Sequence, residues 1–256
     1  MNPLAPASTP LDVRFRLFGT PVRIQPGFWL FAVALGWFSD VREPRSLLTF
    51  VVALCLSVLV HEMGHALMAR LCGEPCRIFL FMFGGAAVSE GDRLRGRQRI
   101  LIAFAGPAAG FLFFAVAHFG KQELERWLTE NPQALGVVTK TILRQFLSYV
   151  YFMTLFYNLM NLLPIYPLDG GQVVRELFLG ISPSHGVTLS LGFSFLLAGF
   201  VAAYSYLVYR GHELWYPPLS AGFSAIFFGL MAVQSLLALM SERRSAPQQE
   251  FAEQSH

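Results

Sequence analysis

Six long apolar segments, each bounded by charged or helix-breaking residues, constrain the fold of this chain more than any other feature. A helix needs about 20 mostly apolar residues to cross the hydrocarbon core of a bilayer. The sequence predicts six such helices, at residues 24–39, 46–69, 100–120, 145–168, 187–209 and 219–240. We therefore expect an all-α polytopic membrane protein with about six transmembrane helices.

The composition agrees with a membrane protein and excludes several other classes. Only 14% of the 256 residues are charged and 54% are hydrophobic, whereas about a quarter of a soluble domain is usually charged. This excludes an ordinary cytosolic enzyme and a disordered chain, and the net charge of only +3 argues against a nucleic-acid binder. We expect a cytoplasmic N-terminal segment (residues 1–23), a transmembrane domain (24–240) and a short cytoplasmic tail (241–256).

The distribution of Lys and Arg predicts the orientation of the chain. With six spans, 12 of the 19 Lys and Arg residues fall on the side that holds both termini. The side that is richer in these residues usually faces the cytoplasm. We therefore expect a multi-pass protein of the cell membrane, with both termini and the ends of the second and fourth helices towards the cytoplasm.

A His-Glu-Met-Gly-His sequence near the end of the second apolar run indicates a metal site. His61 and His65 lie one turn apart on one face of a helix, so both imidazoles can bind the same ion. Glu62 is the next residue around the helix, and its carboxylate can reach a water on that ion. An acidic residue at bilayer depth costs about 2.5–3.5 kcal/mol and tends to be functional. The pattern predicts one zinc ion, with Glu62 as general base.

A catalytic zinc site needs a third protein ligand, and Asp169 is the best candidate. Pro164 and Pro167 break the fourth apolar run just before Asp169, and Gly170 and Gly171 allow the backbone to turn tightly after it. Irregular backbone at this depth is tolerated only where it is buried in protein or lines a wet cavity. Such a break can aim a carboxylate at a metal ion held by a neighbouring helix.

Together, the HExxH sequence and the Asn-Leu-Leu-Pro-Ile-Tyr-Pro-Leu-Asp-Gly stretch at residues 161–170 resemble the site-2 protease family of intramembrane zinc metalloproteases. Residues 83–85 (Phe-Gly-Gly) are similar to the strand-forming segment that follows the zinc helix in this family. Residues 105–110 (Ala-Gly-Pro-Ala-Ala-Gly) are similar to its third-helix Gly-Pro motif, and we expect the GxxxG spacing there to serve close packing inside the monomer. The resemblance covers roughly residues 27–175.

The resemblance implies a function and a set of site residues. It implies a small membrane-associated β segment near residues 78–90 and a membrane-protein substrate that is cut in or near a transmembrane segment, as in regulated intramembrane proteolysis. By the same resemblance, Asn161 positions the reacting carbonyl or its oxyanion, Glu62 is the general base, and the zinc ligands are His61, His65 and Asp169. Residues 79–88 either offer a strand edge to an unwound substrate or pack at the bilayer interface. The substrate and the oligomeric state stay open.

Two other interpretations remain open. The first is a membrane HExxH protease whose third ligand is a glutamate on a later helix, for which Glu176 and Glu213 are available. The second is a non-catalytic metal-binding scaffold or transporter. A transporter should show repeated halves or polar residues along several spans, whereas the intramembrane acidic residues of this chain gather at one place.

Overall fold

The structure is a computed structural model that describes residues 8–82, 84–89, 91, 94–212 and 221–253, with side chains through residue 242. It divides the chain into two compact units, Met1–Met160 and Asn161–His256. Phe83 and Glu213, and the outermost residues of the two predicted terminal segments, lie outside the described residues.

The described part of the first unit contains four strands and four helices. The strands are β1 (Val13–Leu17), β2 (Thr20–Ile24), β3 (Cys76–Phe81) and β4 (Gly84–Ser89). The helices are α1 (Pro26–Phe38), α2 (Pro44–Leu71), α3 (Gly96–Glu130) and α4 (Val137–Asn161), whose last residue belongs to the second unit. The described part of the second unit contains α5 (Asp169–Ile181), α6 (Gly186–Tyr209) and α7 (Ala221–Glu253).

The four strands form one sheet in the order β1-β2-β3-β4. β1 and β2 pair antiparallel, β2 and β3 pair parallel with Val22 opposite Ile78, and β3 and β4 pair antiparallel. The inward-facing side chains of β2 and β3, including Ile24 and Leu80, are buried in the main hydrophobic core of the first unit. Arg23 of β2 and Arg77 of β3 lie on the opposite face.

The predicted β segment near residues 78–90 is present, and it is half of a larger sheet. β1 and β2 come from the N-terminal segment, in which the sequence analysis predicted no strand. Residues 13–17 alternate apolar and basic side chains, Val-Arg-Phe-Arg-Leu, which is the pattern of a strand with one face covered. β1 pairs with β2, and β2 pairs in turn with β3, which lies far along the chain, so the pattern alone did not reveal this sheet.

Among the described residues, four helices are long and apolar enough to cross a membrane: α2, α3, α6 and α7, the last over residues 221–242. The expected count of about six is therefore not confirmed. α1 is apolar but has only 13 residues. α4 ends at Asn161 instead of continuing to the predicted residue 168, because Pro164 lacks the backbone donor that a continuing helix requires.

α2 is the central helix of the first unit. It packs against α1, α3, β3 and β4, and Pro44 at its start and Glu43 before it, which accepts a hydrogen bond from the Ser46 N–H at 2.6 Å, fix its first turn. At its other end, His61, Glu62 and His65 are all buried. Two of the three predicted zinc ligands and the predicted general base are thus enclosed by protein within this unit.

Candidate active site

The side chains of His61 and His65 are fixed through their Nδ1 atoms. The Nδ1 of His61 lies 2.8 Å from the Oδ1 of Asn158, and the Nδ1 of His65 lies 2.6 Å from the carbonyl oxygen of Ile102. A carbonyl oxygen only accepts, and the Asn158 amide nitrogen donates to the Thr154 carbonyl, so its Oδ1 is the acceptor. Both histidines therefore donate from Nδ1.

This tautomer leaves an unprotonated Nε2 on each ring. The two Nε2 atoms face each other 3.0 Å apart. Two lone pairs at this distance repel each other unless a cation or a proton lies between them. Because a zinc–imidazole bond is about 2.0–2.1 Å long, both nitrogens can bind a single ion. The donor set of the first unit therefore fits a zinc ion, and the prediction from the one-turn spacing agrees with this geometry.

Glu62 lies beside the histidine pair with its side chain buried, 3% exposed. The Tyr157 hydroxyl donates to its Oε1 at 3.4 Å, and the Tyr157 ring also meets the His61 ring edge-on, with centroids 4.9 Å apart. A Cβ atom at Gly85 would overlap the Glu62 carboxylate. A glycine is therefore required where β4 passes Glu62, and this close approach brings a strand next to the proposed general base.

Asn158 is a site residue that the sequence analysis missed. It is fully buried on α4, where it contacts both the His61 ring and the Thr154 backbone. One turn away, the Thr154 hydroxyl lies 2.9 Å from the hydroxyl of Ser57, which donates to the Ala53 carbonyl. Polar side chains one turn apart on an apolar helix are a detectable signal, since each must find a partner when buried.

The glycines of the predicted GxxxG pair serve close packing within the chain. A Cβ atom at Gly106 would overlap the His65 imidazole, and one at Gly110 would overlap the Asn158 amide. α3 therefore presses its backbone against His65 and against Asn158, whose amide contacts the His61 ring. This agrees with the expected role inside the monomer.

The remaining predicted residues belong to the second unit. Asn161 is the last residue of α4 and is half-buried, and its position is one helical turn after Asn158. Asp169 is the first residue of α5 and is buried. Glu176, the alternative ligand, lies further along α5 with an Arg175 nitrogen 4.0 Å from its carboxylate. Glu213, the other alternative, is outside the described residues.

Comparisons with known proteins find relatives that agree with the site-2 protease resemblance. Over 153 residues the chain is 33% identical to the putative zinc metalloprotease Rip3 of Mycobacterium tuberculosis, covering 59% of this chain and 36% of Rip3. Over 174 residues it is 33% identical to the putative zinc metalloprotease sll0528 of Synechocystis, covering 63% of this chain and 42% of that protein. The chain thus spans well under two thirds of these relatives.

Two further proteins are similar to this chain: a curated relative that is not named a metalloprotease, and a protein of known structure. Stage IV sporulation protein FB of Bacillus subtilis is 29% identical over 185 residues, which are 69% of this chain and 55% of that protein. The solved site-2 protease from Methanocaldococcus jannaschii is similar in fold, with a TM-score of 0.53 and 20% identity over 91% of this chain and 94% of that one.

The family profile supplies the broadest match. Residues 49–125 and 129–199 match peptidase family M50, which is more than half of the chain. The matched segments contain the histidine pair, Glu62, Asn158 and the whole 161–170 stretch. The resemblance drawn from the two motifs is confirmed, and the chain belongs to peptidase family M50.

Proposed function

We propose that this protein is an intramembrane zinc metalloendopeptidase, which hydrolyses a peptide bond in or near a transmembrane segment of a membrane-protein substrate. The observation that carries the proposal is the pair of Nε2 atoms 3.0 Å apart, with the buried Glu62 carboxylate beside them on a helix apolar enough to cross a membrane. Membership in peptidase family M50 and the similarity to Rip3 and sll0528, both named putative zinc metalloproteases, support it.

Asp169 is the proposed third ligand. Two neutral imidazoles and one carboxylate form a donor set that catalytic zinc sites use. Asp169 suits this role because it is a buried acidic residue at the end of an apolar run, and acidic residues at such depth tend to be functional. Glu176 fits less well, because Arg175 already lies beside its carboxylate.

The proposed chemistry divides between the zinc ion and two side chains, Glu62 and Asn161. Bound zinc would lower the pKa of a coordinated water and polarise the scissile carbonyl. The Glu62 carboxylate, oriented by the Tyr157 hydroxyl, takes a proton from the attacking water and passes it to the leaving amine. The Asn161 amide donates a hydrogen bond to the developing oxyanion, a contact that is worth about 3 kcal/mol in other enzymes.

β4 is the proposed binding edge for the substrate. A substrate helix must unwind before hydrolysis, because its carbonyl groups are otherwise hydrogen-bonded within the helix. Among the described strands, β4 ends the sheet, so its outer edge has no neighbouring strand. An extended segment that adds to this edge would gain main-chain hydrogen bonds and run past Glu62, since Gly85 lies against that carboxylate.

We place the protein in the cell membrane, with both termini on the cytoplasmic side. In this orientation the N-terminal strands and the segment between α2 and α3 also face the cytoplasm. The sheet supports part of this orientation. β2 directly precedes α1, β3 directly follows α2, and the two strands are paired. The two ends of the α1–α2 pair therefore belong on the same side of the bilayer, which is what two consecutive crossings require.

The Glu62→Gln variant tests the catalytic assignment. Gln keeps the size of the side chain but has no carboxylate to take up a proton, so we expect membrane-protein fragments to accumulate in cells that carry this variant. Quantitative proteomics of the membrane fraction measures the accumulation and also identifies substrates. We expect the purified variant to retain one zinc per chain.

Glu123→Gln is the matched control, because Glu123 is exposed on α3 and its carboxylate accepts a hydrogen bond from Arg126 at 3.1 Å. We expect the same membrane proteome as in the wild type. Wild-type turnover by the Glu62→Gln protein would refute the general-base assignment.

A further inference from the structure

The loop between α4 and α5 is held at one residue by helices α6 and α7. The Tyr166 N–H donates to the Ser194 Oγ of α6 at 3.0 Å, and the Tyr166 carbonyl accepts from the Ser235 Oγ of α7 at 3.3 Å. Both backbone groups of Tyr166 are thus satisfied by side chains of other helices. All of these residues belong to the second unit.

The two serine side chains are arranged for this contact. Ser194 is 1% exposed and Ser235 is fully buried. Ser194 donates its own proton to the Ser190 carbonyl at 2.8 Å, so its oxygen lone pairs remain available to the Tyr166 N–H. A hydroxyl buried in an apolar helix is costly unless it is paired, and a loop at this depth must likewise satisfy its backbone.

The held residue is coupled to the start of α5 by a tight turn. The Leu168 N–H donates to the Ile165 carbonyl at 2.8 Å, and the Gln172 N–H donates to the Leu168 carbonyl at 3.0 Å. The carbonyls of Leu162 and Leu163 lie where a Cβ at Gly170 would be. Tyr166 is therefore three residues from Asp169 along a continuously bonded backbone.

We propose that Ser194 and Ser235 are positioning residues, which set the orientation of the Asp169 carboxylate by fixing the loop backbone at Tyr166. This inference rests on the proposed role of Asp169 as a zinc ligand. Ser235 lies on α7, beyond residue 199, where the family match ends. α7 thus contributes to the metal site through a hydrogen bond to backbone rather than through a ligand.

The test measures zinc affinity in the full chain, purified in detergent, by competition with a chromophoric chelator. Partners of metal ligands typically contribute 10–100-fold to metal affinity, and we expect about a tenfold loss for the Ser194→Ala/Ser235→Ala protein. The visible spectrum of the cobalt-loaded protein should shift, because it reports ligand geometry. The Ser194→Thr/Ser235→Thr protein keeps both hydroxyls and should restore affinity and spectrum.

Ser190→Ala is the control, since that equally buried hydroxyl bonds only within α6, to the Val187 carbonyl. We expect wild-type zinc affinity from it. Wild-type zinc affinity and a wild-type cobalt spectrum in the double alanine protein would overturn the proposal. It would also be overturned if the double threonine protein, shown to be folded by thermal unfolding, failed to restore the affinity and the spectrum. Unchanged zinc affinity in Asp169→Ala would instead refute the ligand assignment itself.

Discussion

The buried side chain of Asn158 determines which nitrogen of His61 is available to a metal ion. Its amide is oriented by its own bond to the Thr154 carbonyl, so its oxygen points at the His61 Nδ1. If that acceptor were lost, the His61 ring could rotate or adopt the other tautomer, and its Nε2 would then carry the proton. The metal site therefore depends on α4 as well as on the two histidines of α2.

Asn158→Ala should weaken zinc binding by about 10–100-fold, the usual effect of removing a partner of a ligating histidine. Equilibrium competition with a chelator measures the change. Thr154→Val is the control, because the Thr154 hydroxyl contacts Ser57 and not a histidine, while the Thr154 carbonyl that orients Asn158 is unchanged. It should cost about 1 kcal/mol of stability for the lost hydrogen bond and leave zinc affinity unchanged. Equal zinc affinity in the two variants would contradict the assigned role of Asn158.

At the scale of elements, the packing of α3 against α2 and α4 depends on glycines, which have no side chain at the points of contact. Gly106→Ala places a methyl group into the His65 ring, so we expect a loss of about 1–3 kcal/mol from overpacking and weaker zinc binding. Gly120→Ala on the same helix meets nothing within 4 Å and should stabilise the protein by about 0.4–1 kcal/mol. Thermal unfolding in micelles distinguishes them, and equal shifts would argue against the close approach.

The β1–β2 hairpin has its own dependence on pH. Hydrogen bonds from Thr9, chiefly from its side chain, together with Arg23 hold the pKa of Asp12 at about 2, below its ordinary value of 3.8. A lowered pKa in the folded state means that ionised Asp12 stabilises the hairpin above pH 3.8, and that this stabilisation is lost as the pH falls towards 2.

Asp12→Asn tests this pH dependence. Hydrogen exchange of the β1 and β2 amides should be faster in the variant than in the wild type at pH 7, and the difference should shrink between pH 4 and pH 2. A difference of constant size across that range would show that the charge of Asp12 does not contribute.

The parts of the fold and site that follow from local pattern were predictable from the sequence. The spacing of His61 and His65 is a property of one helix, and Pro164 marks a break wherever it occurs. The hydrogen bond between Asn158 and His61 depends on the register of α4 against α2. The pairing of Val22 with Ile78 depends on how α1 and α2, which lie between β2 and β3, bring the two strands together. Neither register is encoded within a single segment, so neither was predicted.

At the scale of the whole molecule, the proposed orientation predicts which turns are accessible from outside the cell. Cys72 lies in the turn that follows α2 and is half-buried. With Cys55 and Cys76 replaced by alanine, it should react with a membrane-impermeant maleimide only after the cells are permeabilised. In a chain without native cysteines, Gln133→Cys in the α3–α4 turn should react in intact cells. The reverse pattern would invert the proposed topology.

The parallel pairing of β2 with β3 has a consequence for the order of events during synthesis. β2 leaves the ribosome roughly 50 residues before its partner, which is a delay of about 3–10 s at ordinary elongation rates of about 5–20 residues per second. During that interval the edge of β2 that later pairs with β3 has no partner strand. The Glu62 end of α2 can be enclosed only after β3 and β4 have emerged, and the proposed metal site also needs Asn158 and Asp169, so we expect no cleavage by the nascent chain before Asp169 has been made.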